Sequence, residues 1–113
     1  MATTLRALRA LAPLVLLPLA AARHAPAALQ IKLFTFAPKS VTVAVGDTLV
    51  VTNADDAEHT VTFGTPERKD TRLTGVVLGK GGSATVVARA PGTYAFYCER
   101  HPFMMGTLTV TKP

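Results

Sequence analysis

Four residues able to bind a soft metal stand close together near the C-terminus, where Cys98, His101, Met104 and Met105 fall within residues 97–106. A thiolate, an imidazole and a thioether suit copper better than magnesium or calcium, which prefer hard oxygen donors. Cys98 is also the only cysteine, so no disulfide can form within the chain. An unpaired thiol in an oxidising compartment needs burial, a partner chain or a metal. This loop supplies one imidazole. A second must come from elsewhere, carried there by the fold.

The elements that could carry it are strands. From Leu29 onward apolar residues recur at every second position, the period of a strand with one buried face. Leu29, Ile31 and Leu33 alternate with Gln30, Lys32 and Phe34 until Ala37-Pro38-Lys39 breaks the run. Val41, Val43 and Val45 mark a second strand closed by a Gly46-Asp47 turn, and residues 48–52 a third, ended by Asn53-Ala54-Asp55-Asp56. In His59-Thr60-Val61-Thr62-Phe63 the alternation places His59 on the face of Val61 and Phe63, toward the core. Further strands are expected at 76–78, 83–89, 93–98 and 107–111. About seven to eight short strands with regular turn signals and no helix predict an all-β antiparallel sandwich.

Residues 1–27 read as a cleavable secretory leader and 28–113 as one domain. Arg6 and Arg9 give a positive start, and residues 10–22 are mostly Leu, Ala and Val, interrupted by Pro13 and Pro18, too short a run for a membrane span. Cleavage of the Ala-x-Ala type fits after Ala22 or after Ala27, with a retained anchor as the alternative. Arg6 and Arg9 are not adjacent, so Sec-type export to a periplasm, without stable membrane insertion after processing, is expected rather than twin-arginine export. Three of the twelve basic residues, Arg6, Arg9 and Arg23, lie in the leader, so most of the +5 formal charge belongs to it. No basic run is interleaved with aromatics, which excludes nucleic-acid binding as the leading function. The remaining positive excess is enough only to steer an acidic partner.

Taken singly, the candidates have bland readings. Cys98 is a small buried hydrophobe, His59 a core histidine, Met104 and Met105 gap fillers, and Asn53 a turn former. Jointly, two imidazoles, a thiolate and a weak axial thioether are the donor set of a blue-copper electron-transfer site.

Residues 98–104 read Cys-Glu-Arg-His-Pro-Phe-Met, and this run resembles the short ligand loop of the amicyanins, small blue copper proteins of the cupredoxin family that also includes plastocyanin. Val45-Gly46-Asp47-Thr48, Asn53 six residues before His59-Thr60-Val61, and Pro91-Gly92-Thr93-Tyr94 are similar as well. The resemblance implies a Greek-key sandwich holding one copper ion that cycles between Cu(I) and Cu(II), with His59, Cys98, His101 and Met104 as its ligands. Met104 is favoured over Met105 by the loop spacing. The implied function is one-electron transport by a monomer rather than enzymatic catalysis, with a redox protein such as a dehydrogenase or a c-type cytochrome as partner. Also implied are a surface-lying His101 ring inside an apolar patch bordered by Pro102 and Phe103, with Pro66 a further candidate, and a hydrogen-bonding role for Asn53 between the histidine-bearing loop and the cysteine region. The tryptophan common before that asparagine in amicyanins is replaced by Val50-Val51-Thr52. A periplasmic copper-binding or delivery protein is the alternative, and exposed, exchangeable ligands would mark it. A copper enzyme would need further histidines, and only His24 is left.

Overall fold

In the computed structural model, which describes residues 3–4, 9–15 and 26–113, the alternating segments form ten strands and, among the described residues, no helix. They are β1 (Ala27–Lys32), β2 (Thr35–Ala37), β3 (Ser40–Ala44), β4 (Thr48–Asn53) and β5 (His59–Thr65), then β6 (Arg68–Lys69), β7 (Val76–Leu78), β8 (Ser83–Val87), β9 (Gly92–Tyr97) and β10 (Met105–Thr111). One sheet has the order β2-β1-β4-β8 and the other β3-β10-β9-β5-β6, with β7 set against β5.

The expected all-β sandwich is therefore present, with two differences in detail. Ten strands replace seven to eight, because β2 and β6 are three and two residues long and too short to display a period. Two pairings, β1 with β4 and β3 with β10, are parallel rather than antiparallel. They arise because the chain leaves one sheet after β2, adds β3 to the other, and returns as β4 beside β1.

Burial follows the alternation. Leu29, Ile31, Leu49 and Val51 from one sheet face Val61, Phe63, Phe96 and Leu108 from the other, all essentially inaccessible. Each such side chain contributes on the order of 1.5–3 kcal/mol through removal from water. Phe96 stands at the centre, edge-on to Phe36 at 4.9 Å and to Phe63 at 6.2 Å between ring centroids. The Tyr94 hydroxyl donates to the Ala90 carbonyl four residues upstream at 2.6 Å, a tyrosine corner that pins the start of β9.

Leu33 departs from the expected alternation. It and Phe34 occupy left-handed conformations, with φ of 52° and 55°, and turn the chain from β1 into β2 as a two-residue hairpin. Leu33 is consequently 79% exposed instead of joining Leu29 and Ile31 in the core. At the N-terminus, most of the expected leader, including His24 and the cleavage point after Ala22, lies outside the described residues. β1 begins at Ala27, which pairs with Leu49. No helix of the described residues is long and apolar enough to cross a membrane.

Gly106 shows how tightly the end of the sandwich is closed. A Cβ placed there would lie 2.3 Å from the Phe96 ring and 2.8 Å from the Lys39 carbonyl oxygen. Gly106→Ala should therefore lower unfolding stability by about 1–3 kcal/mol, the usual cost of overpacking a core. Urea denaturation of the purified domain measures this, and an unchanged midpoint would show that the ring can move aside.

Candidate metal centre

The centre lies at one end of the sandwich, where the start of β5 meets the end of β9. His59 opens β5 and is fully buried with Val61 and Phe63, as the strand period requires. Cys98 follows β9 directly and is likewise fully buried. The chain then folds back. The Cys98 amide donates to the Met104 carbonyl at 3.1 Å and the Met104 amide to the His101 carbonyl at 2.8 Å, after which Met105 starts β10 opposite Tyr97.

This closure brings His101 round to the same point as His59. Cys98 Sγ lies 3.7 Å from His59 Nδ1 and 3.7 Å from His101 Nδ1. The three donor atoms all fall within 4.8 Å of one another. Metal–sulfur and metal–nitrogen bonds of about 2.3 and 2.0 Å set at a trigonal angle give a sulfur–nitrogen separation of about 3.7–3.8 Å. The spacing thus fits one small ion between the three atoms, and the donor types fit copper.

The remaining expected residues fall as follows. Met104 is buried while Met105 is half exposed. His101 is partly exposed, Phe103 is 71% exposed, and their ring centroids are 6.1 Å apart. Pro102 is exposed beside them. Pro66 sits in the turn between β5 and β6 and does not line the cleft beside this loop. Asn53 is buried, but its bonds run to the Ala57, Leu78 and Gly79 carbonyls at 2.8–3.1 Å and from the Asp55 amide at 3.0 Å. It fastens the histidine-bearing loop to the end of β7. The tie to the cysteine is made by Thr60 instead, whose amide donates to Cys98 Sγ at 3.4 Å and whose hydroxyl accepts from the Glu99 amide at 2.9 Å.

Two residues not foreseen from sequence complete the site. The Asp55 carboxylate accepts from His59 Nε2 at 2.8 Å, from the Leu33 amide at 2.6 Å and from the Phe34 amide at 2.9 Å. A carboxylate only accepts, so the His59 proton resides on Nε2 and the Nδ1 lone pair is left facing Cys98. Phe34, placed by the same turn, meets both imidazoles edge-on, at 5.1 Å from His59 and 4.9 Å from His101. The position of Asp55, four residues before the inward histidine on a polar turn, was a usable signal for the first of these. Nothing local marks Phe34.

Burial pushes the Asp55 carboxyl up, but the hydrogen bonds from Phe34, His59 and Leu33 outweigh it and hold the group below its ordinary value of 3.8. A carboxyl depressed in the folded state stabilises fully above its unfolded value and loses that contribution as pH falls through the lower folded one. Metal-free Asp55→Ala protein should thus be about 1–3 kcal/mol less stable than wild type at neutral pH, and the gap should close as pH drops below 3.8. Urea titrations across pH check both; a gap independent of pH would remove the carboxylate as its source.

Comparison with known proteins agrees with this geometry. The cupredoxin-like domain pattern matches residues 5–110. Amicyanin-alpha of Methylorubrum extorquens is 31% identical over 112 residues, covering 96% of this chain and 94% of that one. Amicyanin of Paracoccus denitrificans is 30% identical, over 82% and 72% of the respective chains. Among solved structures, a purple cupredoxin from Nitrosopumilus maritimus superposes with a TM-score of 0.65 at 26% identity, covering 75% of this chain and 99% of that one. A Cu(I) amicyanin variant gives 0.66 at 26% identity, covering 76% and 82%. With its sandwich, its ligand loop and these relatives in agreement, this chain belongs to the cupredoxin family of blue copper proteins.

Proposed function

We propose that the chain is a mononuclear electron carrier whose single copper ion is held by His59 Nδ1, Cys98 Sγ, His101 Nδ1 and the thioether of Met104. The observation that carries this reading is the convergence of the buried thiol sulfur with two imidazole nitrogens, at 3.7 Å each. When bound, copper supplies one-electron chemistry by alternating between Cu(I) and Cu(II). The chain's part is to keep the donors still. His59 is held by Asp55 and by the ladder of β5, and Cys98 by the Thr60 amide and the closed loop. Little then has to rearrange when the charge changes.

His101 is the one donor of the three that reaches the surface, and so gives a partner its shortest approach. Phe103 stands beside it as an exposed apolar contact. A small apolar surface suits a brief encounter with a redox protein such as a dehydrogenase or a c-type cytochrome, where interfaces are small and turnover is fast. We assign the carrier to a bacterial periplasm as a monomer. Its leader comprises residues 1–27, and the domain residues 28–113. The delivery alternative is disfavoured by burial, since His59 and Cys98 are both inaccessible to an acceptor protein.

Mature protein loaded with Cu(II) should be intensely blue from thiolate-to-copper charge transfer. Cys98→Ser should abolish the colour, and a blue Cys98→Ser variant or a colourless copper-loaded wild type would refute the ligand set. Phe103→Ala should leave the spectrum unchanged yet slow electron exchange with a c-type cytochrome about fivefold, equivalent to ~1 kcal/mol of docking energy. Equal rates would remove Phe103 from the docking surface.

A further inference from the structure

Two methionines stand side by side at the end of the ligand loop, and they face opposite ways. Successive side chains of an extended chain alternate between its two sides. Met104 is in phase with Gly106, Leu108 and Val110, the inward positions of β10, and is 2% exposed. Met105 is in phase with Thr107 and Thr109 on the outer side and is 50% exposed. Met1 belongs to the leader, so these two carry the only thioethers of the domain.

Both border one cleft of about 460 Å³ between the β1–β2 hairpin tip and the ligand loop. Met104 is part of its buried wall, and Met105 stands at its rim with the exposed Phe103, Leu33 and Phe34. A small solute reaches the Met105 side chain without displacing any other. Met104 is held back by its own backbone, whose amide donates to the His101 carbonyl at 2.8 Å and whose carbonyl accepts from the Cys98 amide at 3.1 Å. It cannot turn outward unless the loop opens.

Peroxides convert a thioether to a sulfoxide, which replaces a flexible apolar side chain by a polar one. On Met104 that change would bury an unpaired polar oxygen at the metal site. On Met105 it would alter the surface alone. We propose that Met105 is a reversible oxidation site for hydrogen peroxide and other small hydroperoxides, and that its sulfoxide slows electron exchange while the metal ligands are spared. The proposal rests on the electron-carrier reading and adds a means of regulation to it.

In the step itself the Met105 sulfur gives an electron pair to one peroxide oxygen. The S–O bond forms as the O–O bond breaks, the proton of the transferred oxygen passes to the departing one, and water leaves. Sulfur is oxidised by two electrons and the peroxide is reduced; copper takes no part. The S–O dipole then sits among Phe103, Leu33 and Phe34, where a covering partner would strip it of water. Methionine sulfoxide reductases, with a dithiol that becomes a disulfide, return the thioether and release water.

The test treats copper-loaded mature protein with a small excess of hydrogen peroxide. Trypsin cleavage after Arg89 and Arg100 puts Cys98 in the peptide 90–100 and both methionines in 101–113, and fragmentation between Met104 and Met105 assigns the added oxygen. Met105 should gain it about tenfold faster than Met104. The blue band, read after reoxidation with hexacyanoferrate(III), should persist. Stopped-flow exchange with mitochondrial cytochrome c should slow about threefold, while exchange with hexacyanoferrate(III), a small ion that needs no apolar contact, should not change. The two epimer-specific reductases together should restore both mass and rate. Met105→Leu should show no peroxide-dependent slowing at the same dose, and Met105→Gln, polar and of similar length, should be slow before any peroxide is added.

Oxidation of Met104 as fast as Met105 would overturn the proposal. So would a Met105 sulfoxide with an unchanged cytochrome rate, or slowing that persists in Met105→Leu. In each of these cases, exchange before peroxide leaves the carrier reading standing. Untreated wild type that passes electrons to neither probe would sink the carrier reading, and the regulatory proposal with it.

Discussion

One carboxylate connects the parts of this centre that are distant in sequence. Asp55 receives the Nε2 proton of His59 and two backbone amides of a hairpin more than twenty residues upstream. The first bond fixes the imidazole tautomer and rotation, so that Nδ1 faces the thiol. The other two hold Leu33 and Phe34 in left-handed conformations, each of which costs a residue with a side chain about 1–2 kcal/mol. Charge-assisted hydrogen bonds are of the strength needed to offset that cost. The benefit appears at Phe34, whose ring then covers the edges of both histidines.

The sandwich supplies the rest of the rigidity. His59 opens β5 and Cys98 directly follows β9, its antiparallel neighbour, in register at Thr62 with Tyr97 and Phe63 with Phe96, so the ladder hydrogen bonds bring the two residues together. Thr60 reinforces that link by binding the sulfur and the following amide together. His101 and Met104 depend on a tight loop closed by two backbone bonds. A strand-borne half and a loop-borne half thus meet at one point, and close packing behind them, with Gly106 against Phe96, leaves the loop little room to drift.

Much of this arrangement was legible in the sequence. The spacing of Cys98, His101 and Met104 and the inward phase of His59 are local patterns, and local patterns survive folding when burial enforces them. The β1–β2 hairpin was not legible because Leu33-Phe34 carries none of the glycine or asparagine that two-residue turns normally need. Its conformation is imposed by Asp55, a contact that no window around residue 33 contains. Parallel pairing of β1 with β4 and of β3 with β10 was hidden for a related reason, since alternation reports which face is buried and not which strand lies alongside. The tie to the cysteine region expected of Asn53 is not made by it, since its bonds go to Ala57, Leu78 and Gly79 and Thr60 takes the role beside the cysteine.

Exposure rises steadily across the centre, from the inaccessible His59 and Cys98 through the partly exposed His101 to Phe103 at 71%. Among the described residues the accessible side of the site is at His101, and the cleft there has two walls of different origin. The ligand loop forms one, and the hairpin tip held by Asp55 forms the other. The same carboxylate thus orients His59 and holds the hairpin that forms the second wall. Loss of the Asp55 carboxylate would remove a hydrogen bond from His59 and both amide bonds of the hairpin at once. A carboxylate accepts through both oxygens and can take all three of these bonds, whereas a side-chain amide has one accepting oxygen.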